Sequence, residues 1–393
     1  MHICYVIWKF SSPENFQKMG GAENQLLKIV NHLKNNDDIK ISIISRKMPN
    51  ESKKEFPSNN VEITRINSTK IPFLSMIIFS ISLFFKLIKL NKKDKIHLIH
   101  IPLPDLFLFS IWFIRIFLKI PFISRIAADE LNPINSKGLW KMERLFVRSL
   151  ILRSNAIQTL NQNATQQAFD LSFSKERIFL IPNGIAPPTI SRDYKKLSNE
   201  IIYIGAMRIQ PRKLRIEQKN LEFLINAFNS VLTRKSDLKL IMVGDGNYKS
   251  HLVDLVSKLN IENRVFFKGY QTNVNLYLEN ADIFVNPSHF EGMPNTVLEA
   301  MAMGVFTLCS NIPEHQFLIQ NTITGVLFDH HNHLDFVQKI IDFYENPKNY
   351  IDMAKKGQEI IIKNHSIDII IQQLNEMYNK VIISSKKIKA KES

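Results

Sequence analysis

Two rhythms of apolar residues alternate along this 393-residue chain. Short runs rich in Val, Ile and Phe read as buried strands: HICYVIW near the start, ISIIS (41–45), VEITRI (61–66), IHLIHI (96–101) and PFISRIA (121–127). A Gly20-Gly21 turn and then AENQLLKIVNHLK, apolar at helical spacing, lie between the first two. Strand, helix, strand predicts a parallel sheet. The rhythm starts again at IIYIGAM (201–207). Helical NLEFLINAFNSVL (220–232), strand LKLIMVG (238–244), helical YKSHLVDLVSKLN, strands RVFFKG (264–269) and DIFVNPS (282–288), helical NTVLEAMAMG and strand VFTLCS (305–310) follow. Pro182, Gly184, Pro187 and Pro188 interrupt the pattern, and charged SRDYKKLSNE comes next. The prediction is an α/β protein of two doubly wound domains facing a central cleft, residues 1–186 and 187–370. Residues 371–393 form a helix and basic tail with the option of crossing back onto the first domain. Ligands of such sheets bind beyond the carboxyl ends of the strands.

Two charge-free apolar stretches, 71–85 and 106–114, fall short of the ~20 residues a membrane span needs. They read either as buried helices of the first domain or as segments dipping into a membrane surface. Lys86, Lys89, Lys92, Lys93 and Lys95 follow the first, and Arg115 and Lys119 follow the second, which suits a peripheral helix.

Composition narrows the class. A hydrophobic share of 45% and a charged share of 22% exclude a disordered or fibrous chain. Two cysteines, Cys4 and Cys309, make neither a disulfide framework nor a cysteine-rich zinc site, so a reducing compartment is expected. MHICYVIW is too short for a secretion signal and reads as a first strand. The Asn-x-Ser/Thr triplets at Asn67, Asn163 and Asn364 then count as chance. The net charge of +15 is uneven: residues 1–190 hold 26 Lys+Arg against 14 Asp+Glu. A basic first half favours an anionic partner: phosphate, nucleic acid or the inner membrane surface. No helix-turn-helix, zinc finger or ribonucleoprotein aromatic motif supports nucleic acid.

The chemistry concentrates in NPSHFEGMPNTVLEAMAMG (286–304). Glu291 and Glu299 stand eight positions apart. Gly292, Pro294 and Asn295 predict a turn, with a helix starting near Asn295 whose free amides and dipole suit a phosphate. Glu291, ahead of the helix, can accept from ligand hydroxyls, and Glu299, one turn inside, from a vicinal diol such as a ribose.

This E-x7-E segment closely resembles the retaining glycosyltransferases of family 4, which have the GT-B fold of two Rossmann-like domains. The resemblance covers nearly the whole chain. Gly20-Gly21-Ala22-Glu23 resembles their early glycine loop, and IPNGI (181–185) the end of their first domain. IYIGAMR (202–208) with KNLEFLINAF (219–228), and VGDG (243–246), complete the family order. It implies a nucleotide-sugar donor held mainly by the second domain, retention at the anomeric carbon, and neither metal nor cofactor; no DxD motif occurs. Arg208 and Lys219 would grip the diphosphate and stabilise the leaving group. Glu291 would touch the donor sugar, and His289 would be a further donor contact. The backbone of Gly292, Met293, Pro294 and Asn295, with Thr296, would line sugar and phosphate, and Glu299 would hold the ribose. Gly20 and Gly21 would let backbone approach phosphate and acceptor. Gly244 and Gly246 would place backbone near the base, and Asn311, Ile312, Pro313 and Glu314 would form a loop near the nucleotide.

The chain departs from the pattern twice. Eleven positions separate Arg208 from Lys219, a longer gap than relatives have, and the insertion adds the cations Arg212, Lys213 and Arg215. Where many relatives place a histidine after the fifth strand, this chain has Ala127. Asp129 or Glu130 would serve the acceptor there. His100 reads either as an acceptor-side residue or as a satisfied buried histidine.

The resemblance implies a cytoplasmic hexosyltransferase, peripheral on the inner membrane face. A UDP-sugar is favoured over a GDP-sugar, and a lipid-diphosphate-linked glycan of bacterial O-antigen, capsule or exopolysaccharide synthesis is the expected acceptor. Front-face attack is the favoured mechanism; a double displacement would make Glu291 the nucleophile. The rival readings are a nucleotide-sugar epimerase of the same fold and a non-enzymatic basic binding protein.

Overall fold

Strand β1 (His2–Lys9) sets the plan of the first unit. Ile3, Tyr5 and Ile7 enter one core, and Cys4 and Val6 enter another on the opposite face. A strand apolar on both faces belongs mid-sheet between two helix layers. The computed structural model places it so. It describes residues 1–10, 20–48, 51–67, 69, 71–127, 139–188, 192, 194, 196–209 and 218–392.

The chain divides into two units, Met1–Gly184 with Ile367–Ser393, and Ile185–Ser366. The sequence reading sets the changeover after 186 and the tail at 371; these divisions fall after 184 and 366. In the first unit β1 is followed by α1 (Gly21–Leu33), β2 (Lys40–Arg46), β3 (Lys54–Ser58), β4 (Val61–Ile66), α2 (Pro72–Lys93), β5 (Leu98–Ile101), α3 (Leu108–Leu118), β6 (Phe122–Ile126), α4 (Leu139–Ile151), β7 (Ala156–Thr159), α5 (Gln162–Asp170) and β8 (Ile178–Leu180). The sheet order is β3-β4-β2-β1-β5-β6-β7-β8, parallel except for the β3–β4 pair. The chain runs outward from β1 to β2 and β4, then returns to put β5 on the other side of β1. That reversal makes the carboxyl ends of β1 and β5 the switch point where ligands settle.

The second unit contains β9 (Glu200–Ile204), α6 (Leu221–Leu232), β10 (Lys239–Val243), α7 (Lys249–Lys258), β11 (Val265–Gly269), α8 (Asn275–Leu278), β12 (Ile283–Asn286), α9 (Asn295–Ala302), β13 (Phe306–Ser310), α10 (Pro313–Gln316), β14 (Val326–Phe328), α11 (His333–Glu345) and α12 (Pro347–His365). Its parallel sheet has the order β11-β10-β9-β12-β13-β14, so its switch point lies between β9 and β12. Ile201 and Tyr203 of β9 face one core, Ile202 and Ile204 the other.

Helix α13 (Ile367–Glu392) closes the first unit. Ile367, Ile370, Ile371, Leu374, Met377, Tyr378 and Val381 form one helical stripe buried with β1, α1 and β2.

Of the two readings of 71–85, full burial fails. Helix α2 has 22 residues and continues through Lys86 to Lys93. Among the described side chains one stripe is buried, Ser75, Phe79, Leu83 and Leu87, while Leu74, Ile77, Ile81 and Phe85 are exposed. Intervals of three or four residues set each stripe, so the same sequence that feeds the core also faces outward. Helix α3 is likewise two-sided: Leu108, Ile111 and Ile114 are buried, and Phe109, Ile116 and Phe117 exposed.

Candidate active site

The carboxyl end of β12 delivers the acid of the central motif. Beyond Asn286 the chain crosses Ser288 and Glu291 and enters α9 at Asn295. Glu291 is buried, and three donors converge on one of its oxygens. Its Oε1 accepts from Lys219 Nζ at 2.5 Å, Ser288 Oγ at 2.8 Å and Asn286 Nδ2 at 3.3 Å. Burial alone would raise the Glu291 pKa; the Lys219 charge and hydrogen bond, helped by His315 and Ser288, outweigh it and hold the carboxyl below its ordinary value. It is therefore a carboxylate at neutral pH.

Lys219 precedes α6, and its short segment is tied to neighbouring loops on both sides. The His289 amide donates to the Gln218 carbonyl at 2.9 Å, and Gln218 Nε2 donates to the Phe290 carbonyl at 3.0 Å. Asn220, in the left-handed region at φ 52°, donates from Nδ2 to the His330 carbonyl at 3.4 Å. Lys219 is thus fixed where its amine meets Glu291.

A buried polar chain stands behind the acid. Ser310 Oγ donates to the Ser288 carbonyl at 2.5 Å, and His315 Nδ1 lies 2.8 Å from the Ser310 carbonyl. Burial lowers the His315 pKa to about 4, against the opposing pull of Glu291. His315 is therefore neutral at pH 7 and donates from Nδ1. Its Nε2 is buried and has no hydrogen-bond partner in the structure. The sequence reading ends at Glu314, one residue short of this histidine. No motif flags His315; only the fold of α10 brings it under Ser310.

Arg208 sits on a different loop pair. The segment after β9 lies across the turn after β10: the Met207 amide donates to the Asp245 carbonyl at 3.1 Å, and the Tyr248 amide to the Met207 carbonyl at 3.0 Å. Gly244 has φ +140°, and a Cβ there would stand 1.9 Å from the Gly205 carbonyl oxygen. A Cβ on Gly246 would meet the Met207 carbonyl at 2.0 Å and Arg208 Cγ at 2.6 Å. These glycines let two loops touch, and that contact supports the exposed Arg208. Arg212, Lys213 and Arg215 lie outside the described residues.

His289, half-buried, belongs to a group of rings. Its centroid is 5.1 Å from His330 and 6.0 Å from His331. Burial and the two neighbouring histidines lower its pKa. The sequence reading names His289 and misses the other two. Among the described residues no three His, Cys, Asp or Glu side chains form a metal set. Pro294 is the cap residue of α9 and gives its first amides no side-chain bond. Glu299 lies within that helix, partly buried, with Gly292, Met293 and Thr296 also partly exposed.

The first unit gathers polar groups at its own switch point. His100 on β5 is buried, with Nδ1 2.7 Å from Tyr378 Oη, which lies 2.8 Å from Tyr5 Oη. Burial, then the Arg125 charge, lowers the His100 pKa to about 3. A neutral His100 is a hydrogen-bonding group and a poor base at pH 7. Arg125, a strand residue as its sequence suggests, donates from Nε to the Pro102 carbonyl at 2.9 Å. A small cavity opens beside these groups, bordered also by Gln25, Gln158 and Asn183. Both amide atoms of Gln25 are buried there without a hydrogen-bond partner in the structure, while the Gln158 side chain acts on His100 as a hydrogen-bond partner. Such groups call for water or ligand hydroxyls. Gly20 is extended and precedes α1; a Cβ on it would lie 2.7 Å from Glu23 Oε2, so a carboxylate covers this helix start. Ala127 directly follows β6, its carbonyl receiving Asn161 Nδ2 at 3.4 Å. Asp129 and Glu130 lie outside the described residues.

Two family models match: Glycosyltransferase Family 4 over residues 19–187 and Glycosyl transferases group 1 over residues 201–360. An uncharacterized glycosyltransferase of Methanocaldococcus jannaschii is 42% identical over 187 residues, covering 44% of this chain and 45% of its own. The Escherichia coli UDP-Gal:α-D-GlcNAc-diphosphoundecaprenol α-1,3-galactosyltransferase is 24% identical over 221 residues, 53% of this chain and 55% of its own. The chain thus spans about half the length of these curated relatives. The solved sucrose-phosphate synthase of Thermosynechococcus elongatus superposes with a TM-score of 0.80 at 16% identity, over 98% of this chain and 100% of that one. The fold is GT-B.

Proposed function

The chain belongs to glycosyltransferase family 4, and from that premise we propose that it transfers a hexosyl group from a nucleotide sugar, a UDP-sugar before a GDP-sugar, to a lipid-diphosphate-linked glycan. The configuration at the anomeric carbon is retained, no metal takes part, and the work is done at the inner face of the cytoplasmic membrane, in surface polysaccharide synthesis. One observation carries the reading: the buried Glu291 carboxylate held at 2.5 Å by Lys219 at the switch point of the second sheet. The name of the E. coli relative, with its UDP-sugar and diphosphoundecaprenol acceptor, supports the choice of substrates.

In the proposed reaction the bond from the anomeric carbon to the diphosphate oxygen breaks, and a bond from that carbon to the acceptor oxygen forms on the same face. The acceptor proton passes to the departing phosphate oxygen, so atoms and charge balance. Lys219 and Arg208 stabilise the negative charge that grows on the leaving group. Glu291, ionised at neutral pH, accepts from donor sugar hydroxyls and fixes the ring. Glu299 takes the ribose diol, the segment 292–296 lines sugar and phosphate, and His289 borders them. Gly20 and Gly21 let backbone approach phosphate and acceptor, and the His100 pocket serves the acceptor.

A thermal-shift titration with UDP and GDP, followed by transfer of labelled sugar to a diphospholipid-linked acceptor, tests the proposal. UDP is expected to raise the melting temperature of the parent, and Arg208→Ala and Lys219→Ala to weaken UDP binding about tenfold each. Transfer is expected to persist in chelator. Unchanged UDP affinity in both variants would remove the site assignment, and chelator-sensitive transfer would remove metal independence.

A further inference from the structure

Helices α2, α3 and α4 of the first unit share an apolar face that no described residue of the unit covers. On α2 it runs through Leu74, Ile77, Ile81 and Phe85; on α3 through Phe109, Ile116 and Phe117; on α4 through Met142, Leu145 and Phe146. Phe85 is 64% exposed, Phe117 66% and Met142 68%. The face is continuous, because ring contacts cross from helix to helix. Phe84 meets Phe117 at 6.5 Å, Phe117 stacks on Phe113 at 6.1 Å, and Phe109 meets both Phe113 at 4.8 Å and Phe146 at 6.0 Å. Isolated apolar side chains on a surface are ordinary; a patch spanning three helices marks an interaction site.

Charge identifies the occupant. Neither α2 nor α3 contains an acidic residue. The exposed stripe of α2 changes from apolar to basic along its length, ending in Lys86, Lys89, Lys92 and Lys93, all exposed, and Lys119 ends α3. An apolar field edged by cations matches acyl chains beneath anionic headgroups. A second copy of the face would bring a second set of cations against the first. Helix α2 is also the one described stretch long and apolar enough to cross a membrane, Leu74–Lys93, with 22% of it buried. Its inner stripe is anchored, however: Phe79 contacts Trp8 of β1 at 5.1 Å and Phe107 at 5.7 Å, and Leu83 and Leu87 share their core. Crossing the bilayer would pull that stripe out of the sheet.

We infer that the α2–α3–α4 face docks on an anionic lipid bilayer, with α2 lying in the plane of the interface and its lysines on the headgroups. The inference deepens the membrane part of the proposed function and rests on that reading for the choice of lipid over protein. It also corrects the sequence view of two separate stretches: α4, which no apolar run announces, completes the surface.

The test is sedimentation of the full chain with vesicles of phosphatidylglycerol and phosphatidylethanolamine, against vesicles of phosphatidylcholine. Anionic vesicles are expected to bind at least about tenfold tighter and to lose most of that advantage at high salt. Phe85→Ser with Phe117→Ser should cut binding to anionic vesicles at least about tenfold, and Lys86→Ser with Lys89→Ser and Lys92→Ser should abolish the lipid preference. Both variants alter exposed side chains and should keep the parent melting temperature and UDP-induced shift. Parent-like binding by the phenylalanine variant, or no anionic preference in the parent, overturns the inference. So does a parent dimer that the phenylalanine variant dissolves without any vesicle binding, which would assign the face to self-association. Vesicle binding with no shift from UDP or GDP would sink the enzymatic reading and leave this one standing.

Discussion

Lys219 Nζ stands 2.5 Å from Glu291 Oε1, joining residues 72 positions apart, with the acid buried and the amine side chain one-fifth exposed. The pair links the start of α6 to the loop before α9. It also sets the resting state of the proposed donor site: the cation meant for a diphosphate is held on the acid meant for a sugar. Donor binding must then share Lys219 between Glu291 and phosphate.

Removing the amine should therefore harm stability as well as turnover. Lys219→Met leaves a buried carboxylate with two neutral donors, and should cost about 2 kcal/mol after allowing for the solvent that reaches Lys219. Glu291→Gln keeps the donors' partner and should cost less, yet lower turnover about a hundredfold or more. Denaturant unfolding of both variants and the double variant gives the coupling. Additive losses would mean the pair does not interact.

The acid limb of stability is expected to depend on His315. Its folded pKa is lowered to about 4 from an ordinary 6.5, so between those values the unfolded chain binds the extra proton. Stability is complete above about pH 6.5 and is lost as pH falls toward 4, about 3 kcal/mol in all for this group. Glu291, its pKa also lowered, contributes stability that is present above the ordinary glutamate pKa and is lost as pH falls through its lowered folded value, as the carboxylate takes up a proton. His315→Gln should flatten the curve between pH 6.5 and 4 and leave the lower part in place. A variant curve parallel to the parent across that window would show that His315 does not titrate as the fold implies.

How much of this was legible beforehand follows from which signals are local. The two-sided apolar pattern of HICYVIW and IIYIGAM predicts mid-sheet strands, and β1 and β9 are such strands. Segment 286–304 announces a turn and a helix near Asn295, and α9 begins there. Strand β3 escapes, because KEFPS alternates poorly and holds Pro57; it is tolerated as an edge strand, tied by Glu55 to the buried Arg65 of β4 at 2.8 Å. Helix α2 is read too short, since its lysines lie on the exposed stripe and do not end the helix. His315, Ser310, His330 and the cavity groups Gln25 and Gln158 carry no motif. Each acquires its role from contacts made by residues far away in sequence or on another element, and a single sequence does not display such contacts.

Gly244 should be among the least replaceable residues of the second unit. Its φ of +140° disfavours any side chain, and a methyl group would enter the Gly205 carbonyl at 1.9 Å. Backbone, not a flexible side chain, is in the way, so the two loops must part. Gly244→Ala should cost about 3 kcal/mol or more and displace Arg208 from its seat beside Gly246. Thermal unfolding measures the first effect and UDP affinity the second. A stable variant with parent affinity would contradict the close approach of the loops.

The cavity beside His100 offers a case in which stability and function part. Gln25 buries a whole amide without a hydrogen-bond partner, in a cavity that His100 and Gln158 also line. In a purely structural setting this is a defect, and Gln25→Leu, close in volume, removes the cost of burying that amide. The variant should be more stable by about 1–2 kcal/mol. Under the proposed function the same amide waits for acceptor hydroxyls, so the variant should raise the acceptor KM about tenfold or more while the donor KM and UDP affinity stay at parent values. Stability and acceptor KM measured on one preparation decide the matter. Higher stability with an unchanged acceptor KM would make the pocket a water site and move the acceptor elsewhere on the first unit. Lower stability would mean that an ordered water already satisfies Gln25.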